Sequence, residues 1–223
     1  MKHRDGSQNG AMHVDHLSLV AGPDGLEATV DRLRPIFGDR IKDGGAHPRF
    51  GTRNNIVPLI DGRYLEIVDV LDHPAADKAV YGQAVRARQE LGGGWLGWVV
   101  SVDDLAPYAQ RLEREPVPGS RTFPDGRTLI WHQLGIQGLM TDPQLPYFLH
   151  WESDAEVLPS ALPSDVRLDT IEIAGSRDRV EEWIGQPIGT YFDGVRFEFN
   201  SHNAMPGVLA VTFEVPGQGL VRL

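Results

Sequence analysis

The sequence contains no cysteine, and this absence excludes three kinds of chemistry. Without a thiol, the chain has no disulfide framework, no thiolate nucleophile and no sulfur ligand for zinc. Residues 1–12 are polar and glycine-rich, and they lack the apolar segment of a secretory signal. We therefore expect a flexible leader at residues 1–12 and a cytoplasmic protein.

Long apolar runs and clusters of basic residues are missing as well. No stretch approaches the roughly 20 apolar residues that a membrane-spanning helix needs, so we expect no membrane partner. The 223 residues include 31 acidic and 21 basic side chains, which gives a formal net charge of −10. Nucleic-acid binding relies on clustered Lys and Arg, so this balance argues against it. A small-molecule ligand or substrate remains the expected partner.

What the sequence does contain is a repeated pattern of secondary structure. Its hydrophobic fraction of 41% is enough for a sizeable core. The first unit is predicted, in order, as a strand over 14–20, an amphipathic helix over 26–37, a weakly marked strand near 39–43 and a hairpin formed by 56–60 and 63–70. This order is β-α-β-β-β, and two further units follow with similar patterns.

The repeat predicts the domain organisation. Placing His16 over Trp98 requires an offset of 82 residues, and placing Glu66 over His150 requires 84. The predicted α+β fold consists of tandem βαβββ modules over 13–72 and 94–154, paired within 13–154, with a helical linker at 73–93 and a third, partial module at 164–223.

Four ionisable residues interrupt otherwise apolar strands: His16, Glu66, His132 and His150. Burying such a group without a partner costs several kcal/mol. By the repeat alignment, His16 lies on a first strand, while Glu66 and His150 take equivalent places on last strands. If the modules pack symmetrically, two imidazoles and one carboxylate converge, a set that suits Fe(II), Mn(II) or Zn(II). The alternative is that each side chain faces water or lines an empty pocket.

Two other groups of residues are candidates for ligand binding. The loop at 44–54 contains His47, Arg49, Thr52 and Asn54, and arginine in such a loop binds a carboxylate or phosphate. The alternative is a structured turn in which Thr52 and Asn54 cap the backbone. The tryptophans around the second unit form either the core or an aromatic wall for a planar ligand.

Three motifs resemble a known family when they are taken in order. They are Val-Asp-His-Leu at 14–17, His-Pro-x-x-Gly-Thr-x-Asn at 47–54 and Tyr-Leu-Glu-Ile at 64–67. Together they resemble the glyoxalase-like domain family of the vicinal-oxygen-chelate superfamily, most strongly over 14–152. The resemblance implies paired modules that form curved mixed sheets around a cleft, with metal ligands on the first and last strands of two modules.

Carried over to this sequence, the family's ligand pattern is incomplete. His16 matches the first ligand and Glu66 the second, whereas Trp98 stands in the third place and His150 replaces glutamate in the fourth. A His-Glu-His set remains for Fe, Mn, Zn or Ni. The activity of lactoylglutathione lyase is therefore not implied.

Two functional hypotheses follow from the resemblance. In the first, the chain is a metal-dependent lyase, isomerase or dioxygenase that acts on vicinal oxygens, with Glu66 as the catalytic base. In the second, it is a metal-free binding or resistance protein of the same fold. The substrate-binding set is expected to be His47, Arg49, Thr52, Asn54, Trp98, His132 and Trp151. A homodimer formed through the third module is left open.

Overall fold

The computed structural model describes residues 12–123, 126–200 and 205–223. The predicted leader at 1–12 lies outside this part of the chain except for Met12, which is buried. The first module contains β1 (His13–Val20), α1 (Gly25–Phe37), β2 (Lys42–His47), β3 (Thr52–Leu59) and β4 (Arg63–Val70). The linker contains α2 (Pro74–Lys78) and α3 (Val80–Glu90). The second module contains β5 (Gly94–Ser101), α4 (Ala106–Leu112), β6 (Val117–Thr122), β7 (Thr128–Leu134), α5 (Gly138–Thr141) and β8 (Tyr147–Trp151).

The C-terminal part follows two short 3-10 turns at Ala155–Val157 and Pro159–Ala161. It contains β9 (Arg167–Ala174), α6 (Arg177–Ile184), β10 (Tyr191–Phe192), β11 (Val195–Asn200), β12 (Gly207–Val215) and β13 (Gly219–Arg222). None of the helices in the described ranges is long and apolar enough to cross a membrane.

Local sequence explains the elements that hold the first module together. Helix α1 buries one apolar face and ends before Gly38, whose φ of 55° breaks the helical geometry. The hairpin between β3 and β4 turns at Asp61 and Gly62, which both have positive φ. Two successive residues of this kind match the right-handed twist of the strands, so the turn fixes the β3–β4 register.

The strands of the two modules form one curved sheet in the order β2-β3-β4-β1-β5-β8-β7-β6. Strand β1 runs parallel to β4, β5 runs parallel to β8, and the antiparallel β1–β5 pair joins the halves. From the central β1–β5 pair outward, the first module has the order β1-β4-β3-β2 and the second has the order β5-β8-β7-β6. The two modules therefore have the same spatial order of strands. The predicted α+β class and curved mixed sheet are confirmed.

The register of the two halves shows how they correspond. His16 pairs with Tyr64 in β1–β4, and Val99 pairs with Tyr147 in β5–β8. Both residues of the second pair lie 83 residues beyond those of the first. In both parallel pairs, therefore, a residue lies beside the residue 48 positions further along the chain.

A second sheet has the order β10-β11-β9-β12-β13. Strand β12 pairs antiparallel with β9, as β5 does with β1 in the first sheet. The largest core is shared between the two sheets, since the buried Trp98 ring lies 5.0 Å from the Phe197 ring, measured between centroids.

Candidate functional site

A small cavity of about 50 Å³ lies on one face of the large sheet. Apolar and aromatic side chains make up much of its wall, and several polar side chains converge on it. The lining residues used below are His16, His47, Phe50, Asn54, Tyr64, Glu66, Tyr81, Arg121, Leu129, Trp131, Tyr147, Leu149 and Trp151.

Strand alternation explains why these side chains meet. In the parallel β1–β4 pair, His16 lies beside Tyr64 and Ser18 lies beside Glu66. Residues two apart on a strand share a face, so all four side chains point to the same side of the sheet. The His16 imidazole stacks on the Tyr64 ring with 4.5 Å between the centroids.

Asp15 approaches His16 because the strand is irregular at this point. Strand β1 changes register against β5 between Val14 and His16, which inserts Asp15 as an extra residue. Such a bulge re-aims a side chain that would otherwise lie on the opposite face. The buried Asp15 carboxylate accepts a hydrogen bond from His16 Nδ1 at 2.6 Å and another from Trp151 Nε1 at 2.9 Å. Asp15 thus fixes both the tautomer and the orientation of the imidazole.

The other imidazole nitrogen lies beside a tyrosine hydroxyl. His16 Nε2 is 3.2 Å from the Tyr147 hydroxyl oxygen, and both residues line the cavity. Since Nδ1 donates to Asp15, Nε2 carries the lone pair and the Tyr147 hydroxyl donates to it. Trp151, Asp15, His16 and Tyr147 therefore form a continuous hydrogen-bonded chain along the cavity wall.

Glu66 is a buried carboxylate held by three donors. Ser18 Oγ donates to Oε2 at 2.7 Å, the Tyr81 hydroxyl donates to the same oxygen, and Asn54 Nδ2 donates to Oε1 at 2.7 Å. Burial alone would raise the pKa of Glu66, but the neighbouring His16 and His47 and the hydrogen bonds outweigh burial and lower it. Glu66 is therefore a fixed negative charge beside His16.

The tyrosines of the cavity are proton donors rather than phenolates. Burial is the main cause that raises the pKa of Tyr64, Tyr81 and Tyr147 well above the ordinary value of 10.0, and nearby carboxylates add to it. Tyr81 comes from α3, so the linker helix supplies one of the groups that fix Glu66.

His47 lies at the end of β2 and closes another part of the wall. Its Nδ1 is 3.3 Å from Thr52 Oγ1, and its ring meets the edge of Trp131 with 6.2 Å between centroids. Burial lowers the pKa of His47, which favours the neutral imidazole. Thr52 is fully buried and supports His47 from outside the cavity lining.

A wider groove of about 510 Å³ adjoins this region. Arg49 and Arg121 both line it, and Arg121 also lines the small cavity. The groove lies between the two edge strands of the sheet, because Gly44, Gly45 and Ala46 belong to β2 and Ser120 belongs to β6.

Three predicted site residues lie elsewhere in the structure. Trp98 is paired with Leu17 and buried in the shared core, where Nε1 donates to the carbonyl of Gln144. His132 and His150 face each other across β7–β8, one position away from the cavity-lining Trp131 and Trp151. His132 pairs with Glu152, and His150 lines a different surface pocket with His13.

The wrong placement of Trp98 and His150 in the predicted site has one cause. The two sequence offsets, 82 and 84 residues, disagree with each other by two, whereas both parallel strand pairs join residues that are 48 positions apart. A shift of one residue moves a strand side chain to the other face of the sheet. Trp98 and His150 each lie one residue from a position on the cavity side, which are Val99 and Leu149.

The donor set does not fit a metal centre of the predicted kind. Val99 and Leu149 supply no ligand atom, and His150 lines another pocket. Both nitrogens of His16 are engaged by Asp15 and Tyr147, and both oxygens of Glu66 accept protein hydrogen bonds. Across the described ranges, no three His, Asp or Glu side chains are grouped so that they hold a metal ion.

Several residues of the cavity lining were not predicted from the sequence: Tyr64, Tyr81, Arg121 and Tyr147. Asp15 and Ser18, which hydrogen-bond to His16 and Glu66, were not predicted either. Period-two alternation from His16 and Glu66 points to Ser18 and Tyr64. Tyr81 and Arg121 have no comparable signal, because their positions depend on how the linker helix and the last edge strand pack.

A family model described as a glyoxalase-like domain matches residues 14–187. No curated protein matches the chain. A hypothetical protein from Staphylococcus aureus has the same fold, with 15% identity and a TM-score of 0.69 over 95% of this chain and 98% of that one.

Two similar structures are epimerases. Methylmalonyl-CoA epimerase in complex with methylmalonyl-CoA and ammonium is 15% identical, with a TM-score of 0.41 over 63% of this chain and 93% of that one. The methylmalonyl-CoA epimerase from Mycobacterium tuberculosis is 14% identical, with a TM-score of 0.41 over 64% and 88%.

Proposed function

The chain belongs to the glyoxalase-like domain family, and from this premise we propose that it is an enzyme that moves a proton on a small carbonyl compound. The observation that supports this proposal is the Asp15–His16 pair at the wall of a small, largely apolar cavity. A base oriented by a carboxylate and facing an apolar cavity is the arrangement that general acid–base catalysis needs.

His16 is the proposed base. Asp15 accepts a hydrogen bond from Nδ1–H, so Nε2 is the atom that accepts a proton from the carbon beside the substrate carbonyl. The resulting imidazolium is hydrogen-bonded to Asp15 and lies in the field of the Glu66 carboxylate, and both charges stabilise it.

Tyr147 is the proposed partner of the substrate oxygen. When a substrate displaces its hydrogen bond to Nε2, the neutral hydroxyl donates to the carbonyl oxygen instead. As the C–H bond breaks, its electron pair moves to that oxygen, and the Tyr147 donor stabilises the enolate. His16 then returns a proton to the same carbon as the electron pair moves back from oxygen, which exchanges that hydrogen or inverts that centre.

Glu66 has a different role in this proposal from the base that the sequence suggested. Its three donors and lowered pKa make it a poor proton acceptor at neutral pH. We assign it the electrostatic stabilisation of protonated His16.

Solvent deuterium exchange tests this function. The protein is incubated in D₂O with hydroxyacetone, and exchange of the C–H protons is followed by proton NMR with and without a chelator. We expect exchange that the chelator does not change and that His16→Gln slows by about 10²–10⁴-fold. His132→Gln is the matched control, because His132 lies outside the cavity and is expected to keep the wild-type rate.

Two results would contradict the proposal. Equal exchange by wild type and His16→Gln would remove His16 from the chemistry. Quenching of Trp fluorescence by hydroxyacetone without any exchange would instead support the metal-free binding protein.

A further inference from the structure

Arg121 is a largely buried cation for which the described residues supply no ion-pair partner. It lies on the edge strand β6, and only 9% of its surface is exposed. Its Nε atom has no hydrogen-bond acceptor, and in the described part of the chain no carboxylate forms an ion pair with its guanidinium. The contact that the structure does give it is the ring of Phe123, whose centroid lies 4.5 Å from the guanidinium carbon.

This arrangement is costly in the protein alone. A buried guanidinium loses its water, and an unsatisfied charged donor costs more than a neutral one. Burial lowers the pKa of Arg121, and the fields of Tyr64, Asp43 and Glu66 offset this only in part. An oxyanion placed against the guanidinium would supply the missing acceptors.

The surroundings of Arg121 leave space for such a group. The groove of about 510 Å³ on its outer side is roughly ten times larger than the inner cavity. Gly45 opposes Arg121, and a Cβ atom there would come within 4.0 Å of Arg121 Nη1. Arg49, exposed on the loop after β2, adds a second cation to the groove wall.

We propose that this groove binds an anionic substituent, a carboxylate or phosphate, of the ligand whose carbonyl group enters the inner cavity. The proposal rests on the proposed function, because it assigns the carbonyl end to His16. Arg121 lines both spaces and joins them, and its planar guanidinium can donate two parallel hydrogen bonds to an oxyanion.

The charges around the two spaces give the ligand one orientation. The inner cavity contains the fixed carboxylate of Glu66, which repels an anion. Among the charged groups of the outer region, Asp43 Oδ1 accepts from the backbone nitrogen of Gly45, whereas Arg49 and Arg121 line the groove. The neutral end of a ligand is therefore favoured inside and its anionic end outside. The inner volume limits the neutral end to a few non-hydrogen atoms.

Equilibrium binding of a matched pair of probes tests the proposal. The probes are 4-oxopentanoate and its neutral analogue 4-oxopentanamide, and their dissociation constants are measured by calorimetry. We expect the wild-type protein to bind the carboxylate at least about tenfold more tightly than the amide, because a charge-assisted hydrogen bond contributes free energy of that size. Arg121→Gln is expected to abolish this preference, and Arg121→Lys to keep part of it because the charge remains.

Arg53→Gln is the control, since Arg53 is exposed on β3 and lies outside both linings. It removes the same charge and is expected to keep the wild-type preference. Equal affinity of the wild type for the two probes would overturn the proposal. So would an equal loss of the preference for the carboxylate in Arg53→Gln and Arg121→Gln. Binding is measured without turnover, so a failure of proton exchange at His16 leaves this test intact.

Discussion

A single inserted residue shapes the chemistry of the site. Without the bulge at Asp15, strand alternation would place this carboxylate on the face opposite to His16. With it, Asp15 accepts hydrogen bonds from His16 and Trp151 at once. The local irregularity therefore converts a polar strand residue into the group that orients the proposed base.

Glu66 gives the protein a predictable response to acid. Its folded-state pKa is lowered below the ordinary value of 4.5, so its contribution to stability is fully present above about that pH. The contribution is lost as pH falls through the lowered pKa. The charged groups that face Glu66 include His16 and His47. Both residues are present in wild type and in Glu66→Gln, so the comparison changes only the residue at position 66.

We expect wild type to be more stable than Glu66→Gln at pH 7 and the difference to narrow below about pH 4.5. Urea unfolding followed by Trp fluorescence at several pH values measures this difference. A difference that stays constant or widens in acid would show that Glu66 is not held as a carboxylate.

At the scale of elements, the turn between β2 and β3 holds the cavity wall in place. Gly51 follows the cavity residue Phe50 and has a φ of 65°. A Cβ atom at Gly51 would lie 2.4 Å from the backbone nitrogen of Ala76 in α2. The turn therefore packs directly against the linker helix, and a side chain there would separate the two.

The pair Gly51→Ala and Gly62→Ala separates packing from backbone strain. Gly62 has a similar φ of 72°, but a Cβ atom there meets nothing within 4 Å. We expect Gly62→Ala to cost about 1–2 kcal/mol of unfolding free energy through backbone strain alone. Gly51→Ala is expected to cost about 1–3 kcal/mol more, because it also overpacks the contact with α2. Equal losses of unfolding free energy in the two variants, measured by chemical denaturation, would contradict the close packing of Gly51 against α2.

The strand order was largely predictable from the sequence, whereas the side-chain register was not. Turn residues such as Asp61 and Gly62 and the alternating apolar pattern mark the elements. An error of one residue in aligning the repeats is small on the scale of an element, yet it puts Trp98 and His150 on the wrong face. His16 and Glu66 line the cavity from strands, as predicted. The loop predicted over 44–54 is wrong in its extent, because His47 lies on β2 and Asn54 on β3, and both line the cavity. Tyr81 and Arg121 depend on tertiary packing.

At the scale of the whole molecule, a buried ion pair joins the two sheets. Arg63 at the start of β4 is buried and donates to Asp193 Oδ2 at 2.8 Å. Asp193 lies in the β10–β11 turn and also accepts from the backbone nitrogen of Val14 at 2.8 Å. The first and last strands of the first module are thus both tied to the C-terminal part.

We expect Asp193→Ala to lower the unfolding free energy by about 3 kcal/mol, because it removes the nearer carboxylate of the buried Arg63 and leaves only Asp61 Oδ2 at 3.4 Å. Asp165→Ala is the control, since it also removes a carboxylate between the two parts but breaks an exposed pair with Arg40. Little change is expected for Asp165→Ala. Equal losses of stability in Asp193→Ala and Asp165→Ala, measured by thermal or urea unfolding, would mean that the burial of Arg63 does not increase the contribution of its ion pair.

The most direct test of the account is the protonation of the His16 ring. Nitrogen-15 NMR of the imidazole distinguishes the two neutral tautomers and can be assigned by comparison with His16→Gln. The Asp15–His16 hydrogen bond predicts a proton on Nδ1 and a lone pair on Nε2, and it predicts that Asp15→Ala weakens this preference. A proton on Nε2 in the wild-type protein would contradict the assignment of His16 as the base facing the cavity.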